Sequence, residues 1–154
     1  MNRAESAVFA DRMQRQIYKL LRSFESCDGQ CLAQFGVTAS QGYALLAFPW
    51  DVAISMNELS QTMGLANSTM TRMVDTLVAR GLVYRQQDYE DRRVVRVALT
   101  AQGQELQRTL EEARQAMMGE ILSDIQEEDW PGIIQTLAKL NAAFDKAMGG
   151  CCGS

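Results

Sequence analysis

A mainly helical α+β fold is predicted by three observations. Apolar residues recur at three- and four-residue spacing through most of the chain, the period of helices that bury one face. These segments carry start and stop chemistry: Thr38 and Ser55 each precede Gln41 or Glu58 by three residues, and Gly64 and Gly81 close apolar-periodic runs. Only Leu82–Arg85 and Val94–Leu99 read as full strands, with a very short piece beginning at Ile54.

Taken in order, Val8, Met13, Ile17, Leu20, Leu21 and Phe24 make a helical stripe within a helix expected from about residue 5 to about residue 33, with Gly29 interrupting its late part. Arg12, Arg15, Lys19 and Arg22 lie mostly off that stripe, which suits a core or dimer-facing helix; a membrane-surface helix is the alternative. After the break at Phe35-Gly36-Val37, the box Thr38-Ala-Ser-Gln41 opens a helix through Tyr43, Leu45, Leu46 and Phe48 that Pro49 ends. Ser55-Met-Asn-Glu58 opens another, with Leu59 and Met63 inward and Gly64 at its end.

The next helix organises the chain. Met70, Met73, Val74, Leu77 and Val78 form its apolar stripe, while Ser68, Thr71, Arg72 and Asp75 share the opposite face. Gly81 stands where a left-handed cap is wanted. Two helices joined by Gly64-Leu65-Ala66 have helix-turn-helix order, and small hydroxyls around one arginine suit close approach to a DNA groove. The two strands follow, joined by Gln86–Arg93, a connection rich in acids and arginines that holds no glycine and reads as an extended hairpin. Thr100 is expected to cap a long helix through Leu106, Leu110, Ala113, Met117 and Ile121. A last helix, starting between Gln126 and Pro131, carries Ile134, Leu137, Leu140, Ala143 and Phe144.

The stretch from Glu58 to Gly103 resembles the winged helix-turn-helix of MarR-type transcriptional regulators. The resemblance rests on Arg80–Arg85 (RGLVYR), Asp88–Arg93 (DYEDRR) and Leu99–Gly103 (LTAQG), in that order and spacing. Ala66 departs from the pattern, which often has a hydroxyl or acidic helix cap there, and Asn67 is expected to cap one residue later. The resemblance implies a homodimer binding a palindromic double-stranded DNA operator, more often as a repressor, and released by an effector. It implies DNA contacts from Asn67, Ser68, Thr69, Thr71 and Arg72 on the recognition helix. At the wing tip Arg92, or alternatively Arg93, enters the minor groove with Asp91 holding it in place. It also implies that Tyr43, Phe48 and Trp50 line a pocket for an aromatic effector, where the plain alternative is core.

The expected organisation is residues 1–34 as an N-terminal dimerisation helix, 35–100 as the winged helix-turn-helix DNA-binding domain, and 101–154 as C-terminal dimerisation helices with a cysteine tail. The net charge of −4 at first opposes nucleic-acid binding, but its distribution does not. Residues 1–54 are balanced, 55–100 carry +1 with all basic residues arginine, and 101–154 carry −5. A dimer doubles the arginine count, which helps affinity for phosphate.

The sequence contains no histidine, no Gly-rich phosphate loop and no nucleophile elbow, so an enzyme is not expected and no cofactor is required. No run of about 18 apolar residues exists, so no membrane partner is expected and a cytoplasmic location is. Cys27 and Cys31 lie one helical turn apart, and Cys151 and Cys152 sit in a Gly-rich tail. Together they make a thiol set for a soft metal or metalloid effector (Zn, Cd or As) or for an oxidant; buried bystander thiols are the other reading. A winged-helix protein–protein adaptor that never meets DNA is the alternative function.

Overall fold

The structure, a computed structural model, describes residues 3–151, and the side chains of residues 5–148. Helix α1 spans Arg3–Ala33, α2 Ala39–Ala47, α3 Met56–Met63, α4 Asn67–Ala79, α5 Ala101–Ser123 and α6 Trp130–Cys151. The strands are β1 Ile54–Ser55, β2 Val83–Gln87 and β3 Val95–Leu99. β3 is the middle strand of an antiparallel sheet ordered β1-β3-β2, in which Ile54 faces Val97 and Val83 faces Leu99.

Local chemistry explains most boundaries. The Thr38 and Ser55 boxes both form: each hydroxyl accepts from the backbone N–H three residues on, and Gln41 and Glu58 accept from the cap N–H. Glu58 Oε2 lies 2.7 Å from Ser55 N, and hydrogen bonding to Ser55 lowers its carboxyl pKa. Thr100 accepts from Gly103 N at 3.0 Å and donates to Gly81 O at 2.6 Å, starting α5 while tying it to the turn after α4. The close contact continues at Gly103, where a Cβ would stand 2.0 Å from Leu82 O, so only glycine permits it. A 3₁₀ turn at Glu127–Asp129 leads into α6, with Pro131 in its first turn.

Three expectations change. α1 runs through Gly29 without interruption. The strands shift to Val83–Gln87 and Val95–Leu99, because pairing extends to Gln87↔Val95 and shortens the connection. Asn67 does not cap α4: the cap position is Ala66, with no side-chain hydrogen bond, and Asn67 is the first helical residue.

The chain forms two compact units that divide between Arg114 and Gln115, inside α5. The first is organised around a core of Leu32, Val37, Leu45, Phe48, Leu59, Met70, Val74, Leu77, Val83, Val97 and Leu110. Gln107, buried, donates to Leu45 O and Phe48 O at 3.0 and 2.8 Å, so α5 satisfies the carbonyls at the end of α2. The second unit holds the end of α5, the 3₁₀ turn and α6, with Trp130 Nε1 donating to Ile125 O; among its described residues none is buried.

Candidate nucleic-acid interface

Helix α4 is positioned by its apolar side and by a polar lock at its start. Met70, Val74 and Leu77 are fully buried, with Met73 and Val78 packed beside them. Ser60 Oγ, on α3, donates to Asn67 Oδ1 at 2.6 Å, and Asn67 Nδ2 donates to Asn57 Oδ1 at 2.8 Å. Asn67 thus holds the two helices at their turn, a use that its placement among DNA-reading residues did not foresee. Ser68, Thr69, Thr71 and Arg72 are exposed together on the outer side of α4. Thr71 donates back to Asn67 O at 2.8 Å, which holds its hydroxyl close to the helix.

The six arginines of residues 55–100 separate into two groups. Arg80 donates to Gln41 Oε1 and Gly36 O, both at 3.0 Å; Arg85 pairs with Asp75 at 2.7 Å; Arg96 pairs with Asp88. Arg72, Arg92 and Arg93 make no ion pair among the described residues and are exposed. The first group therefore holds the fold together, and the second offers uncompensated positive charge to solvent.

The wing turns without glycine because two aspartates cap its backbone. Asp88 Oδ1 accepts from Glu90 N at 2.8 Å and Asp91 N at 3.0 Å, while Asp91 Oδ1 accepts from Arg93 N at 2.9 Å. The hydrogen bond from Arg96, then those from the Asp91 and Glu90 N–H groups, bring the Asp88 carboxyl down to about 2. Asp91 acts on the backbone of Arg93 and not on a guanidinium. From the sequence Asp88 was read only as the start of the Asp88–Arg93 motif and Arg96 only as part of a strand; across the sheet Arg96 pairs with Gln86, two residues before Asp88.

The expected effector residues lie in different environments. Phe48 is a core residue, Tyr43 is half-buried, and Trp50 is 57% exposed beyond Pro49. Beside Tyr43 is a polar cluster not anticipated from the sequence. Asp28 is fully buried and accepts from Arg114 Nε at 2.9 Å, and the Arg114 guanidinium lies 5.8 Å from the centre of the Tyr43 ring. Hydrogen bonding to Asp28, then burial, raises the Tyr43 phenol, against the opposing charge of Arg114. The signal was the spacing Phe24, Asp28, Leu32, which puts a carboxylate on the inward side of α1.

Cys27 is exposed and Cys31 half-buried. Burial, then Asp28 and Cys27, raise the Cys31 thiol, with Arg114 opposing. Among the described residues no group of three or more cysteines and carboxylates is placed to hold a metal ion. The Cys151 side chain and Cys152 lie outside the described residues, as does any part they take in a four-thiol set.

A helix-turn-helix followed by a β-hairpin, with free arginines on the second helix and on the hairpin, defines a winged-helix protein of the regulator class. The family model described as "MarR family" matches residues 52–95. The HTH-type transcriptional repressor MdtR of Bacillus subtilis is 30% identical over 110 residues, covering 71% of each chain. Among solved structures, a S. aureus MepR–DNA complex shares the fold with a TM-score of 0.72 at 22% identity, covering 84% of this chain and 96% of that one. The apo form of wild-type MarR from E. coli gives 0.71 at 23% identity, covering 82% and 95%. The chain belongs to the MarR family and is a DNA-binding transcriptional regulator, not an enzyme. None of its described helices is long and apolar enough to cross a membrane.

Proposed function

We propose that the protein is a homodimeric repressor that binds a roughly palindromic operator through α4 and the wing and releases it on meeting an effector. The observation that carries this reading is the division of the arginines. Those near the sheet and the helix turn are consumed by structural partners, whereas Arg72, beside the exposed Ser68, Thr69 and Thr71, and Arg92 and Arg93 on the wing make no ion pair among the described residues. The MepR relative is described as a DNA complex and MdtR as a repressor, which supports the direction. Exposed apolar residues on α1 (Val8, Phe9, Leu20) and on α6 (Ile134, Phe144, Met148) offer faces that a second subunit would cover. The effector is an organic ligand, or a soft metal or an oxidant acting on thiols such as the exposed Cys27.

The test is a titration of the protein against fragments of its own upstream DNA at several salt concentrations. Binding should weaken steeply with salt, and Arg72→Ala should cost about 1–3 kcal/mol at the preferred site if it reads a base. Half-sites should be centred about one helical turn apart. Salt-independent binding, or none, favours the protein–protein adaptor. Adding zinc, cadmium, arsenite or phenolic acids to the complex then identifies the releasing chemistry.

A further inference from the structure

The wing carries its free arginines on a segment that has almost no apolar anchor. Between Gln86 and Arg93 the sequence offers no buried side chain; Tyr89, at its apex, is fully exposed, and Asp91, Arg92 and Arg93 are exposed beside it. A hairpin tip of that kind, without glycine and without core contact, needs another restraint to keep one conformation. The polar contacts supply it. Asp88 Oδ1 binds two successive backbone N–H groups of the tip, Asp88 N donates to Val94 O at 2.9 Å, and Asp88 Oδ2 receives Arg96 Nε. Arg96 lies on the middle strand, paired with Ser55 on one side and Gln86 on the other, and its Nη1 reaches Ala53 O at 3.4 Å. The tip is thereby fastened through one carboxylate and one guanidinium to the rigid centre of the sheet and to the segment before β1.

We propose that Asp88 and Arg96 are the positioning residues of the wing, their ion pair holding the tip so that Arg92 and Arg93 face outward toward DNA. The inference rests on the DNA-binding reading for its consequence, though the restraint itself acts in the free protein. Charge alone predicts the reverse for one half of the pair. Removing the negative charge of Asp88 brings the wing closer to a polyanion's preference and should tighten binding if the residue did nothing but repel.

Asp88→Asn separates the two effects. An asparagine oxygen still accepts from Glu90 N and Asp91 N, so the turn keeps its caps and loses only the ion pair. The full-length chain is compared with Asp88→Asn, Arg96→Lys and the double variant, using the duplex that the wild-type chain enriches from a random-sequence library. The expected result is that Asp88→Asn and Arg96→Lys each weaken binding roughly three- to tenfold, with the double variant little worse than either single one. The salt dependence should flatten as the wing contacts drop out, and amide exchange across residues 88–94 should quicken in the free protein. Asp88→Asn binding as tightly as wild type or tighter, with unchanged exchange, overturns the inference. If one variant fails to fold, the other decides by the same readouts. A wild-type chain that enriches no duplex instead overturns the DNA-binding reading, and the exchange measurement still judges the restraint on its own.

Discussion

The winged-helix region and the terminal helices use the same helical pattern to opposite ends. In the first, Met70, Val74 and Leu77 of α4 are fully buried in one core with Leu45, Leu59 and Val97, so the apolar side is spent inside one chain. In α6, Ile134 is 68% exposed and Phe144 51%. Periodicity therefore reports that a helix has an apolar face, and says nothing of whether this chain or another covers it. The difference separates an apolar side that holds α4 in place within one chain from one that α6 leaves open to solvent.

The largest effect that sharpens this contrast is on stability. Leu77→Ala, at a fully buried position, should cost about 2–5 kcal/mol in denaturant unfolding. Ile134→Ala, at a largely exposed position on α6, should change the stability of an isolated subunit by no more than about 0.5 kcal/mol. Equal losses would break the comparison. The next effect is on association. Ile134→Glu with Phe144→Glu should leave helical circular dichroism intact while loosening self-association about tenfold or more, read by sedimentation across a concentration series. An unchanged sedimentation profile would show that the α6 face is not where copies meet.

Acid should discriminate the wing from the core. Folded Asp88 titrates at about 2 against 3.8 for the ordinary side chain. Its pair with Arg96 thus contributes fully above 3.8, and that contribution is lost as the pH falls toward 2. Amide exchange, corrected for its intrinsic pH dependence, should show residues 88–94 losing protection over that interval. Simultaneous loss at Met70–Leu77 would mean that the wing does not open separately. The smallest effect concerns thiol chemistry: exposed Cys27 should be alkylated by iodoacetamide ahead of Cys31, whose thiol is raised by burial and by Asp28. Mass spectrometry of partially modified protein checks the order, and faster modification of Cys31 would contradict the environment described for it.

Wherever the determining interaction is local, it was legible in the sequence. The Thr38 and Ser55 boxes, the Thr100 cap, the left-handed Gly64 and Gly81, and the apolar stripe of α4 all depend on residues within a turn or two of each other, and each stands where its chemistry puts it. Arg92 and Arg93 were picked out by the resemblance that Asp88–Arg93 carries, and both are exposed. Tertiary structure alone decided which polar groups are already engaged. Asn67 is drawn to Ser60 and Asn57 on α3, Arg85 to Asp75, Arg96 to Asp88, and Asp28 to Arg114, eighty-six residues away. Such partners are brought together by packing between elements, and a hydrogen bond or ion pair has no periodicity from which it could be read. The same physics separates Phe48, enclosed in the core, from Trp50, left on the surface two residues later once Pro49 has ended the helix.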